Sequence, residues 1–157
     1  MPELWKIPGL QLARMIASKK IKPSEVMEAI LARIDEVNPK VNAFCTLARD
    51  SAMAEARAAD KKVTRAKSLG LLFGVPVSIK DLIFTKGLRT TFGSKMYENF
   101  VPDRDEVVVE RLKAAGAILL GKTCTCEFGY KAVTDSPLWG ITRNPWKIGR
   151  ASCRERV

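Results

Sequence analysis

Residues 74–84 read GVPVSIKDLIF, and how this stretch is interpreted decides the class of fold. Val75, Val77 and Ile79 alternate as they would along a half-buried strand, and Leu82, Ile83 and Phe84 continue the apolar run. Lys80 and Asp81 interrupt it, although lysine is among the side chains least often buried without a partner. Pro76 asks for an edge position or a bulge, because proline brings no N–H to a ladder.

An amine drawn into such a strand loses hydration, which disfavours its charged form. Its pKa then falls from ~10.4 toward ~7–8, where the neutral amine can act as a general base. Beside a serine it can take the hydroxyl proton, as in serine–lysine nucleophile pairs. Two other readings stand next to this one. Lys80 and Asp81 can form a solvated ion pair at a strand end, with the lysine stem lying along the surface. Ser78, two residues earlier and therefore on the same strand face as Lys80, can be a nucleophile with Lys80 as its base.

Composition narrows the chemistry. The 157 residues contain no histidine, so they hold no Ser-His-Asp triad, Cys-His pair or histidine metal site. The length suits one domain with a buried core. A hydrophobic share of 46% and a charged share of 28% are those of a soluble globular protein. No apolar run reaches the ~20 residues of a membrane helix. The first residues lack the basic-then-apolar order of a signal peptide. The expectation is a cytoplasmic protein without a membrane partner. The net charge is +10, yet the 27 basic residues are scattered, many beside Asp or Glu. A solvated basic surface is expected, and no nucleic-acid partner. Cys45, Cys124, Cys126 and Cys153 include only a lone C-x-C, short of the ligands that zinc takes. They read as reduced structural thiols, with no metal or other cofactor.

The first third reads as helices. In PGLQLARMIASKK, Leu12, Met15, Ile16 and Lys19 share one side. KPSEVMEAILARIDEVNP offers Ser24 as N-cap, a face of Val26, Ile30, Leu31, Ile34 and Val37, and Pro39 as its end. Residues 42–48 read as a short extended piece, and Asp50 caps a third, Ala-rich helix. Strands and Gly-containing turns follow from Gly70 to Ser94. A helix over 105–115 aligns Val108, Leu112 and Ala115, with Gly116 as its stop, and 117–121 is a short buried strand. Residues 122–146 read mostly as loop. Helix, glycine, then apolar strand indicates an α/β layer.

Three blocks, GLLFGVPVSIKDLIFTKGLRTTFGS, ERLKAAGAILLGKT and CEFGYKAVTDSPLWGITRNPW, together resemble the amidase signature family, in order and over nearly the whole chain. The resemblance implies an α/β fold: N-terminal helices, then the start of a mixed β-sheet sandwiched by helices, here truncated. Residues 1–148 would be the N-terminal part of an amidase domain. The implied chemistry is hydrolysis of carboxylic amide C–N bonds by a Ser–cis-Ser–Lys triad through an acyl-enzyme. Lys80 stands at the position of the family's lysine, and the resemblance counts against Ser78, since the family's nucleophile comes from a later Gly-Ser-rich loop. Asp81 would orient the local backbone or the lysine's surroundings, and Gly93 and Ser94 would shape a turn. The implied partner is a small-molecule amide, with room for a homodimer of the intact protein.

The chain departs from the family pattern twice. Cys124 and Cys126 stand where members commonly carry Asn and Pro. After RNPW the chain reads KIGRASCRERV in place of the Gly-Ser-rich loop, and 149–157 read as a non-native, adapter-derived tail. Ser152 lacks neighbouring glycines that would let backbone amides converge on an oxyanion, and it receives no role. With the lysine alone, the chain is expected to be inactive by itself. Two alternatives remain, the A subunit of a glutamyl-tRNA amidotransferase and a non-catalytic basic binding module.

Overall fold

Pro23 opens the longest helix among the described residues, because the first N–H of a helix has no partner and proline has none to lose. The computed structural model describes residues 3–65 and 69–146. Cys153, Ser152 and the 149–157 tail lie outside them. Helix α1 is Gly9–Ala17, α2 Pro23–Val41, α3 Arg49–Arg65 and α4 Val107–Ala114; strands are β1 Phe44–Leu47, β2 Pro76–Lys80, β3 Ile118–Thr123, β4 Asp135–Ser136 and β5 Gly140–Ile141.

Helix boundaries differ from the sequence reading for local reasons. The Lys22 N–H donates to the Glu25 carboxylate at 2.9 Å, so the first turn is closed from Lys22 and Ser24 lies inside the helix. The Ser24 N–H reaches Asp60 on α3 at 3.1 Å. Pro39 sits within the last turn instead of ending the helix. The stop comes at Asn42, whose φ of 52° and N–H bond to Asn38 O at 2.7 Å make a left-handed cap. Helix α3 starts at Arg49, which leaves Asp50 in its first turn.

Three strands pair in the order β1-β3-β2. Strand β1 runs antiparallel to β3, with Phe44 opposite Thr123 and Thr46 opposite Lys122, and an irregularity falls at Cys45 between them. Between β2 and β3, Ile118 N–H donates to Val75 O and Asp81 N–H to Thr123 O, each at 3.0 Å. Both strands advance in the same direction between these bonds, so the sheet is mixed, as the α/β reading expects. Pro76 is the first residue of an outer strand of this sheet, where its missing N–H removes no ladder bond.

Two units divide the chain. The first gathers α1, α3, α4 and most of α2. Its apolar cluster is Leu4, Leu12, Ile16, Val26, Val63 and Val75, with Ile30 and Phe73 packed against it. Burying each such side chain is worth roughly 1.5–3 kcal/mol. The stripe read for α4 needs correction. Val109 is fully buried, whereas Val108 remains 47% exposed. Three consecutive valines do not reveal which of them faces inward, and the helix starts two residues later than read. The second unit gathers β1 and residues 78–106 and 121–146. It contains a five-ring cluster, in which Phe92 meets Phe84, Tyr97, Phe100 and Phe128 at centroid distances of 5.8, 5.1, 6.2 and 6.3 Å. Among the described residues no helix is long and apolar enough to cross a membrane.

Gly116 ends α4 as expected, at φ 86°. A Cβ there would stand 2.9 Å from the Phe73 Cα. Gly87 has a similar φ of 72°, with nothing within 4 Å of its Cβ position. Gly87→Ala therefore costs only the left-handed conformation, about 1 kcal/mol, while Gly116→Ala adds a backbone clash and is expected to cost about 2–4 kcal/mol. Urea unfolding of the two variants measures the difference.

Candidate active site

Period-2 alternation places Ser78 and Lys80 on one face of β2 and Ile79 on the other. Ile79 is buried, whereas Ser78 and Lys80 are exposed. The desolvation expected for Lys80 is therefore not found among the described residues, since its face carries no cover there. Next to it, Asp81 is fully buried. The solvated ion pair read for these two residues does not describe the aspartate.

Asp81 anchors the following loop. Its carboxylate accepts from the Thr91 N–H at 2.9 Å and from the Thr91 hydroxyl. Thr91 Oγ1 in turn accepts from the Gly93 N–H at 3.2 Å and the Trp139 indole N–H at 2.8 Å. The Asp81 carbonyl takes the Phe92 N–H at 3.0 Å. Thus one carboxylate fixes Thr91, and through it a glycine turn and an aromatic ring. Gly93 has a φ of 69°, and a Cβ on it would stand 2.9 Å from Thr125 O. Ser94 is buried and accepts the Met96 N–H at 3.3 Å, which closes the short 3-10 turn Lys95–Tyr97. The turn expected at Gly93 and Ser94 is present.

The buried lysine of this region is Lys122, on β3, which is fully enclosed. Its ammonium donates to Thr85 Oγ1 at 3.1 Å, to Thr90 Oγ1 at 2.9 Å and to the Ile83 carbonyl. All three donors of the –NH3+ group have acceptors. Burial pushes its pKa down to about 8, against the upward pull of Asp81, Cys45 and Asp105. Sequence reading passed over Lys122, although the signal that singled out Lys80 was present: ILLG runs straight into a lysine, as VSI does.

Cys45 lies on β1, and Cys124 and Cys126 follow the end of β3. Cys126 Sγ is held between the Lys131 N–H and carbonyl, each at 3.3 Å. The Cys45 thiol donates to the Lys122 carbonyl at 3.5 Å; the influence of Cys124, together with burial, pushes the Cys45 thiol up, and that of Cys45 pushes the Cys124 thiol down. No group of three or more His, Cys, Asp or Glu that could hold a metal occurs among the described residues.

A family model described as Amidase matches residues 25–153. The chain belongs to the amidase family. The A subunit of the glutamyl-tRNA(Gln) amidotransferase of Sulfurihydrogenibium sp. strain YO3AOP1 is 43% identical over 148 residues, 94% of this chain and 30% of that protein. An acylamidase of Rhodococcus erythropolis is 41% identical over 146 residues, covering 93% of this chain and 31% of its own length. Among solved structures, 6-aminohexanoate cyclic dimer hydrolase complexed with substrate superposes with a TM-score of 0.83 at 33% identity, covering 95% of this chain and 30% of its own. The chain thus spans about 30% of the length of the curated relatives it matches. The mixed sheet and its helices are those of an amidase family fold.

Lys122 gives a signed pH dependence. Its folded pKa, about 8, lies below the ordinary 10.5, so between these values the unfolded chain binds more protons. This residue's contribution to stability therefore rises from pH 8 to 10.5, by about 3 kcal/mol, and is lost again as pH falls through 8. Urea midpoints over that range, compared between the native chain and Lys122→Met, check it: the variant is expected to lack this increment.

Proposed function

We propose that this chain supplies the general base, Lys80, of a histidine-independent amide hydrolase. The observation that carries this reading is the position of Lys80, presented on the open face of β2 immediately before a loop pinned by Asp81 and Lys122. A base on such a face can meet a serine brought to it from a further segment. On this reading, that segment belongs to the longer protein and carries the bridging and nucleophilic serines. Its arrival also strips water from Lys80, which lowers the lysine's affinity for a proton.

The chemistry then follows from acid–base and acyl-transfer principles. Neutral Lys80 removes the proton of the bridging serine, which takes the proton of the nucleophile. The nucleophile attacks the amide carbonyl, and an acyl-enzyme forms as ammonia or an amine leaves with a proton. Water enters along the same relay and releases the acid. Backbone amides of a glycine-rich segment would stabilise the oxyanion. Residues 1–157 by themselves are not expected to turn over an amide. Asp81 and Lys122 are positioning residues, since their hydrogen bonds are made to the loop itself.

A stand-alone amidase acting on small-molecule amides is the primary reading. The 43% identity to an amidotransferase A subunit supports a second, in which glutamine is the amide and the ammonia passes to a partner.

A chimera tests both. Residues 3–146 replace the matched segment of the Rhodococcus acylamidase. The chimera is expected to hydrolyse simple acyl amides, and Lys80→Met to lower kcat by about 10²–10⁴-fold with KM little changed. Full turnover by the folded variant rules out Lys80 as base. The same segment placed in the Sulfurihydrogenibium amidotransferase, with the other components of that enzyme present, scores ammonia release from glutamine. Activity there alone favours the amidotransferase reading.

A further inference from the structure

Arg89 lies with its guanidinium over the Trp139 ring, 4.8 Å from the ring centroid. That ring is a fixed platform. Its indole N–H donates to Thr91 Oγ1 at 2.8 Å, the Trp139 backbone N–H donates to Ser136 Oγ at 3.0 Å, and the Trp139 carbonyl accepts from the Asn42 amide at 2.6 Å. The chain on either side of Arg89 is tied down as well. Thr90 donates its N–H to Phe100 O and its hydroxyl to Leu88 O, each at 3.0 Å, and takes the Lys122 ammonium at 2.9 Å. Arg89 itself is half-buried. Among the described residues no acceptor meets its N–H groups, and no ion pair includes it. The carboxylates of this network are engaged elsewhere: Asp81 has both oxygens on Thr91, and Asp135 holds the Lys131 ammonium at 2.7 Å.

We propose that Arg89, held on Trp139, binds the carboxylate of a small-molecule acid. A guanidinium taken partly out of water loses hydration, and donors left without acceptors there are costly. Stacking on the indole covers one face of the group and leaves the N–H groups in its plane unsatisfied. Those N–H groups form a rigid fork whose spacing matches the two oxygens of a carboxylate. The platform holds the fork before a ligand arrives, so little side-chain freedom is left to lose on binding. One arginine also matches the single charge of a carboxylate, whereas a phosphate dianion calls for further cations or backbone N–H groups. The inference stands whether or not the protein hydrolyses amides.

The test uses the full 157-residue chain, isotope-labelled for NMR and titrated with sodium acetate, with ionic strength held constant by sodium chloride. The chain has tryptophans at 5, 139 and 146, and the indole N–H signal lost in Trp139→Phe belongs to residue 139. The Trp139 and Arg89 Nε–H signals are expected to move together and saturate, with a Kd of about 10 mM, while Trp5 and Trp146 stay in place. Arg89→Lys keeps the charge but loses the fork, and is expected to bind acetate about tenfold more weakly. Arg89→Gln, which removes the charge, serves as a second variant with the same direction of loss. Saturable movement at residues 89 and 139 that both variants weaken supports the site. Absence of movement overturns it, as does movement that a titration with sodium chloride alone reproduces. Undiminished acetate binding by Arg89→Lys overturns it too, and so does tighter binding of inorganic phosphate than of acetate.

Discussion

An ammonium group enclosed under a loop must give each N–H an acceptor or surrender its charge. At Lys122 the acceptors are the Ile83 carbonyl and the Thr85 and Thr90 hydroxyls, all in the segment that follows β2. Those hydroxyls are themselves oriented, since Thr85 donates to Ile83 O at 3.2 Å and Thr90 to Leu88 O at 3.0 Å. The loop therefore has one conformation that satisfies the lysine, and the lysine has one loop that satisfies it. Removing either partner leaves buried polar groups unpaired, at about 1–3 kcal/mol each. This mutual dependence fixes the residues next to Lys80.

Asp81 does from one end what Lys122 does from the middle. Its two oxygens bind Thr91, which connects to the Gly93 turn and the Trp139 indole, and residues 134–142 are tied in turn to Asn42. Thr142 donates to Asn42 O at 2.7 Å, and the Asn42 amide donates to Trp139 O at 2.6 Å. A segment poor in regular structure is thus held by side-chain bonds. Such a segment reads as loop in sequence because nothing periodic marks it.

How far the sequence could be read follows from this contrast. The apolar faces of α1 and α2 were legible, because a 3.6-residue period is a local property: Leu12, Ile16, Val26, Leu31 and Ile34 are buried as the pattern demands. Pro76 was legible as an edge signal, and Gly116 as a stop. The helix ends were not, because they turn on particular contacts, such as Glu25 reaching back to Lys22 or Asn42 bending left-handed. The caged lysine was missed for a different reason. Its acceptors lie between 32 and 39 positions away in sequence, and hydrophobicity alone cannot tell a lysine that has such partners from one that lacks them.

The two lysines show why burial alone does not make a base. A base needs a lone pair facing a group that has a proton to give. Lys122 is desolvated, and its pKa is lowered. Yet one of its three contacts is a carbonyl, which has no proton, and the two hydroxyls already donate to other carbonyls. Deprotonating Lys122 would point its lone pair at acceptors, so its surroundings suit a donor that positions a loop. Lys80 lies beyond that cage, on a strand face shared with Ser78 and open to whatever approaches it. Of the two amines, only the exposed one has room for a hydroxyl to arrive with its proton directed at nitrogen. The proposed acid–base assignment therefore rests on the geometry of acceptors around each amine, with desolvation as a second condition that a covering segment would supply.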